Sequence, residues 1–158
     1  MTAALTLDAI PHRPPFLFVD KIVEVAPTRI VTTRFVDPTS DYLRGHYPDT
    51  PIMPGVLLLE CCFQAGALLI AHRVGAGRPS EGVPVLTRIR DARFKRIVVP
   101  GETLRVEVSL DDELDGAYVL TGHGRVEGVT AVRVSFACML APQHDQAGRG
   151  DNTPERKS

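Results

Sequence analysis

Several kinds of residue and segment are missing from this chain, and each absence removes a class of function. Cysteine is scarce: three in 158 residues, with neither the number nor the spacing of a disulfide framework or a metal site. Charge of one sign is missing too, since 18 Lys and Arg stand against 19 Asp and Glu, for a net charge of −1. Nothing therefore marks the chain as a whole for nucleic acid or a membrane surface. The N-terminus shows no basic segment followed by an apolar run, so no secretory signal is expected and the cytoplasm is the expected location. No internal repeat, Gly-rich phosphate loop or metal-ligand constellation is present, and no cofactor is expected on those grounds.

What the chain does have is one long apolar stretch, residues 51–71, interrupted in character only by Glu60 and Gln64. Pro54, with Gly55 beside it, fits a first helical position, and no proline follows from Val56 onward. Apolar residues surround the axis, so the helix is expected to be buried. Glu60 and Gln64 lie four apart and share a face. A carboxylate on a buried helix is costly unless it is paired, neutral or useful. The stretch is long enough to span a bilayer, but Glu60 would then sit near the bilayer centre at a cost of about 2.5–3.5 kcal/mol, and Pro51 and Pro54 break its start. A membrane span is not expected. Cys61 and Cys62 read as small buried hydrophobes.

The rest of the chain reads as strands. Phe16 to Val25 and Arg29 to Val36 come before the helix, with a turn at Ala26-Pro27-Thr28 between them. A polar loop over Asp37 to Thr50 follows, with one helical turn near Asp41-Tyr42-Leu43. Residues 1–10 suggest a short helix or arm. The helix ends near Gly75 and Gly77, and residues 75–82 form a linker. Val83–Arg90 and Thr103–Leu110 are strands, a polar hairpin turn spans Asp111–Gly116, and Ala117–Val126 pairs with Val129–Leu140 around Glu127-Gly128. Residues 142–158 are polar, with almost no large apolar residue, and are expected to be a disordered tail. The domain is thus 1–141. Hairpin-linked strands call for an antiparallel sheet, so the class is α+β: about six strands wrapped around one long buried helix, the hot-dog fold. A helix this apolar exceeds what one sheet can cover, and edge strands need a partner, so a dimer is expected.

Three segments together carry a resemblance: Pro11-His12-Arg13-Pro14-Pro15-Phe16-Leu17-Phe18-Val19-Asp20; then Gly45-His46-Tyr47-Pro48-Asp49-Thr50-Pro51-Ile52-Met53-Pro54-Gly55-Val56-Leu57-Leu58-Leu59-Glu60 with Gln64; then Ala92-Arg93-Phe94-Lys95-Arg96-Ile97-Val98-Val99-Pro100-Gly101. The chain resembles, from about residue 8 to residue 140, the (3R)-hydroxyacyl-[acyl carrier protein] dehydratases of bacterial fatty-acid synthesis, the FabZ type. That resemblance implies a homodimer, often a trimer of dimers, in which His46 of one subunit faces Glu60 of the other across an acyl tunnel. It implies the acyl carrier protein as partner and no cofactor beyond the carrier's phosphopantetheine. The related dehydratase–isomerases carry Asp where Glu60 stands, so Glu60 argues for plain dehydration. The stretch Asp37 to Arg44 departs from the usual pattern of the family, as does Val85-Leu86, where relatives often carry an aromatic.

The residues suit that chemistry. Histidine is the usual base near neutral pH, and His46 lies in a loop stiffened by Pro48 and Pro51. Desolvation favours the neutral acid at Glu60, which can then give a proton to a departing hydroxyl. The helix start, at Gly55 and Val56, offers free N–H groups to a thioester oxygen. Gln64 would orient Glu60 or a water. His12 reads as a hydrogen-bonding residue of a proline-rich loop, and His72 and His123 have no supporting pattern. Arg90, Arg93, Lys95 and Arg96, next to Arg88, form a candidate docking patch for the acidic carrier. Two other readings share the fold: an acyl thioesterase, and a catalytically silent acyl-binding subunit of a heteromer.

Overall fold

The computed structural model describes residues 5–75 and 82–142. Except at its two end residues the expected linker lies outside that range, as does the expected tail beyond Pro142. The element order is a 3₁₀ turn at Leu7–Ala9, β1 (Lys21–Ala26), β2 (Arg29–Phe35), α1 (Asp41–Gly45), α2 (Gly55–Val74), β3 (Val83–Phe94), β4 (Thr103–Leu114), β5 (Ala117–Val126) and β6 (Val129–Ala141). The six strands form one sheet in the order β1-β2-β4-β5-β6-β3, with every neighbouring pair antiparallel. Among the described residues α2 is the one long helix, and it lies across the inner face of that sheet, as expected for a hot-dog domain.

Residues 55–74 form a helix because Leu, Ala and Cys fill them without proline, and they bury because both flanks meet apolar surface. Leu58, Leu59, Cys61, Cys62, Leu68, Leu69 and Ile70 are all buried, and they meet Ile30, Leu104, Val106, Val108, Leu120, Val134 and Phe136 from the sheet. This burial accounts for a helix that is long and apolar enough by composition to cross a membrane. The closest approach of helix and sheet is possible because two positions lack a side chain. A Cβ on Gly122 of β5 would stand 2.9 Å from the Cys62 Cβ, and one on Gly66 would stand 2.7 Å from the Phe136 ring. The buried cysteines behave as hydrophobes: desolvation pushes the Cys62 thiol up to about 12.

Four local differences from the sequence reading have physical causes. Pro54 is the N-cap of α2 and Gly55 its first residue. The strand expected from Phe16 begins only at Lys21, because the backbone of residues 16–18 is bonded to a side chain of α2 instead of to a strand. β4 continues four residues beyond Leu110, since a register shift between Leu110 and Asp112 lets the acidic run pair with β5. The turn then shrinks to Asp115 and Gly116, at φ 51° and 78°, and the β5–β6 turn at Glu127 and Gly128 repeats this at 49° and 80°. Two successive positive φ angles make the tight connection whose twist suits antiparallel strands. β3 likewise runs on to Phe94, past a bulge between Arg90 and Arg93 where Asp91 takes φ 48°.

Candidate active site

The site is built around the first half of α2. Its N-cap is Pro54, whose carbonyl accepts from the Leu57 and Leu58 N–H groups at 2.9 and 3.2 Å. The N–H groups of Gly55 and Val56 are therefore left over at the positive end of the helix. Val56 points its side chain outward, 71% exposed. The Phe94 ring lies on Gly55, where a Cβ would meet it at 3.1 Å. A cleft of about 350 Å³ opens there, lined by Ile52, Met53, Gly55, Leu58, Phe94 and Ile97.

His46 follows α1 at its C-terminal end. Its Nδ1 lies 3.1 Å from the Ile52 carbonyl oxygen. A carbonyl only accepts, so Nδ1 carries the proton and Nε2 is left bare as a proton acceptor. Tyr47, at φ 52°, packs edge-on against the imidazole with ring centroids 4.6 Å apart. The same loop is pinned by Met53, whose N–H donates to Val98 at 2.8 Å. The imidazole is thus held by backbone on one side and an aromatic edge on the other.

Glu60 sits one turn into α2 with its side chain 20% exposed. Gln64, fully buried, clamps it: Nε2 donates to Glu60 Oε1 at 2.9 Å and to the Phe16 carbonyl at 3.0 Å, while Oε1 accepts the Phe18 N–H at 2.7 Å. Gln64, expected to orient Glu60 or a water, thus contacts Glu60 directly, and the same amide ties down the N-terminal segment. His12 comes in from that segment, with Nε2 3.6 Å from Glu60 Oε1 and a buried Nδ1 that has no partner. Its loop is shaped by Arg13, which donates to the Ile10 and His12 carbonyls at 2.8 and 2.6 Å. Both neighbours address Oε1, which leaves Oε2 unengaged among the described residues. Sequence reasoning treated His12 as a loop residue. Its position in the Pro11-His12-Arg13-Pro14-Pro15 motif was the signal available.

Within one chain, His46 and Glu60 do not contact each other: the partners of one are Ile52 and Tyr47, those of the other Gln64 and His12. The candidate docking residues divide. Arg90, Arg93 and Lys95 are exposed. Arg96 instead donates through two nitrogens to the two Glu102 carboxylate oxygens at 2.6 and 2.8 Å. Those bonds from Arg96, helped by the Val99 N–H, hold the Glu102 carboxyl down at about 2. Its charge is committed to the turn before β4. Among the described residues no group of three or more His, Cys, Asp or Glu side chains is arranged to hold a metal.

Fold and site together define a hot-dog protein with a loop histidine and a clamped helix carboxylate. Solved structures share the architecture. The dehydratase heterocomplex ApeI:P from Xenorhabdus doucetiae superposes with a TM-score of 0.75 at 16% identity, covering 88% of this chain and 93% of that one. A hypothetical thioesterase with coenzyme A from Streptococcus pneumoniae gives 0.61 at 13%, covering 79% and 88%. At such identities the likeness concerns the fold alone. Sequence goes further. A family model described as a FabA-like domain matches residues 10–135. A protein of Anaeromyxobacter sp. (strain K) named 3-hydroxyacyl-[acyl-carrier-protein] dehydratase FabZ is 40% identical over 133 residues, 84% of this chain and 85% of its own length. Its namesake from Rickettsia bellii (strain OSU 85-389) is 34% identical over 143 residues, 89% and 97% of the two chains. The chain belongs to the FabA-like family, and its sequence relatives there are dehydratases of the FabZ kind.

Proposed function

We propose that this protein dehydrates (3R)-hydroxyacyl-[acyl carrier protein] to the trans-2-enoyl thioester in fatty-acid synthesis. The observation that carries this reading is the pair of preset groups in a chain of this family: His46 with a bare Nε2, and Glu60 clamped through Oε1 by Gln64 with Oε2 open. His46 Nε2 takes the proton from C2, and the electrons of that C–H bond form the C2–C3 double bond. The C3–O bond breaks as Glu60 Oε2 protonates the departing hydroxyl, and water leaves. The Gly55 N–H, at the positive end of α2, holds the charge gathering on the thioester oxygen. Solvent exchange returns the His46 proton and reloads Glu60. The chemistry draws on no resident cofactor, and the substrate arrives on the phosphopantetheine arm of the acyl carrier protein. A cytoplasmic location goes with that role.

His46 and Glu60 act from different subunits in this reading. Two observations support a homodimer: the two groups do not meet within one chain, and β3, paired to β6 on one side only, presents exposed Val85, Leu86 and Ile89. The test mixes two inactive variants. His46→Ala and Glu60→Gln should each lose roughly 10²–10⁴-fold in turnover. Co-refolded together they should regain activity, because one site of each mixed dimer holds both native groups. Mixed dimers detected by mass without recovered activity would rule out shared sites.

A further inference from the structure

The outer face of the sheet, turned away from α2, carries a band of positive charge that no single stretch of sequence displays. Residues paired across antiparallel strands share a face. Arg105 of β4 stands opposite Arg125 of β5, two residues from His123. His123 stands opposite Arg133 of β6, and Arg133 stands opposite Arg93 of β3. The residues alternating with them, Leu104, Val106, Val132 and Val134, are buried on the helix side. Four guanidinium groups and an imidazole therefore cross four strands in one continuous band.

This arrangement is costly to the fold, since like charges directly opposite one another destabilise a sheet. The nearby acids relieve it only in part: Glu107 stands opposite His123 and acts on His123 and Arg125, and Asp111 acts on His123, but both carboxylates are engaged elsewhere. Glu107 is bound to Arg29 at 2.6 Å, and Asp111 accepts the Thr121 hydroxyl at 2.5 Å. Asp91 comes only within 3.9 Å of Arg93, whose side chain is 64% exposed. Among the described residues Arg105, Arg125 and Arg133 have no ion-pair partner. Burial lowers the His123 pKa, and the fields of Arg125 and Arg133 lower it further. The band ends beside the active site: Arg93 adjoins Phe94, whose ring lies on Gly55, and Lys95 lines the same cleft.

We propose that Arg93, Arg105, Arg125 and Arg133 form the docking surface for the acidic face of the acyl carrier protein. The surface is thus centred on the sheet, with Arg90 and Lys95 at its margin and Arg96 excluded by Glu102. The assignment of the carrier as partner rests on the proposed dehydratase activity. Charge complementarity selects an acidic partner, and contiguity with the cleft selects one that must deliver a prosthetic arm to Gly55. The band positions themselves, Arg93, Arg133, His123, Arg125 and Arg105, include no Phe, Tyr or Trp on which bases would stack, which disfavours single-stranded nucleic acid.

The experiment compares Arg125→Gln/Arg133→Gln and Arg105→Glu/Arg125→Glu with wild type and with Lys21→Glu, an exposed change on the far edge strand. Turnover is followed with a carrier-bound enoyl substrate and with a small pantetheine thioester, and carrier binding is titrated directly by fluorescence anisotropy. The expected result is at least a tenfold loss in kcat/KM for the carrier-bound substrate, taken mainly through KM. Carrier binding should weaken in parallel, turnover of the small thioester should stay within twofold, and Lys21→Glu should change neither. Added salt should reduce wild-type use of the carrier-bound substrate and leave the variants nearly unaffected. The neutral Gln pair should also melt at a higher temperature than wild type, because it removes facing like charges, so reduced docking cannot be put down to misfolding. Unchanged carrier binding in these folded variants overturns the proposal. So does equal loss with both substrates, or variant-sensitive binding to duplex DNA or to anionic phosphatidylglycerol vesicles with carrier use intact. Wild type inert toward the small thioester, with carrier binding still dependent on the arginines, would refute the dehydratase reading and leave the docking surface standing.

Discussion

Replacing Gln64 tests fold and chemistry at once. Its side-chain amide is fully buried and serves three groups: the Phe18 N–H at 2.7 Å, the Phe16 carbonyl at 3.0 Å and Glu60 Oε1 at 2.9 Å. Leucine of similar volume would keep the packing and remove all three bonds. Phe18 is itself buried, so its N–H would lose its partner with no water to replace it, at about 1–3 kcal/mol. Phe16 is 51% exposed, and its carbonyl can turn to solvent at little cost. Gln64→Leu should therefore destabilise by about 2 kcal/mol, and turnover should fall by about tenfold because Oε1 is no longer held. Gln64→Glu separates the two roles. It keeps an acceptor for Phe18 but sets a second carboxyl where the amide nitrogen faced Glu60, so the two must share a proton. A shared proton raises a folded-state pKa above its unfolded value. The variant should thus approach wild-type stability at low pH and lose stability as pH rises through the carboxyl range. The assays are urea unfolding at fixed protein concentration, across pH, and steady-state turnover of a small enoyl thioester. Loss of less than 0.5 kcal/mol in Gln64→Leu, or a Gln64→Glu stability curve parallel to wild type at every pH, would refute the clamp.

Two further outcomes follow from the same geometry. His12→Ala should lower kcat by roughly three- to tenfold with little change in KM, and His12→Gln, which keeps an N–H donor at a similar reach, should recover part of it; at 3.6 Å from Glu60 the imidazole is too distant for a larger effect. Steady-state kinetics on the three proteins measures this, and equal loss in both variants would make His12 a packing residue only. Glu102→Gln should destabilise by about 1 kcal/mol at neutral pH. Because Arg96 depresses the Glu102 carboxyl from 4.5 to about 2, its stabilisation is present above the unfolded value and is lost as pH falls toward the folded one. Acid titration of wild type and variant should show the two stability curves converging over that interval.

Much of this protein is determined locally and can be read from the chain. An apolar stretch after Pro54 that no proline breaks, relieved only by Glu60 and Gln64, makes a buried helix, and alternating strands with Asp-Gly and Glu-Gly turns make antiparallel hairpins around it. Glu60 on an apolar helix is unusual enough in its surroundings to be named as a candidate, whereas His46 is named only through the resemblance carried by Gly45-His46-Tyr47-Pro48. Tertiary structure decided what depends on neighbours distant in sequence. Residues 16–18 have the composition of a strand, yet Gln64, 46 residues away from Phe18, takes up their backbone groups. His12 meets Glu60 only because that clamp draws the N-terminal loop onto α2. Arg96 belongs by composition to a basic run and by contact to Glu102. The arginine band needs strand order and register together: alternation tells which residues share a face within a strand, but not that Arg93, Arg133, His123, Arg125 and Arg105 lie side by side. Bulges between Arg90 and Arg93 and between Gly124 and Arg125 shift the count by which each side chain finds its neighbour. A period of two is a local property of the backbone, whereas register is set only when the sheet closes over its helix.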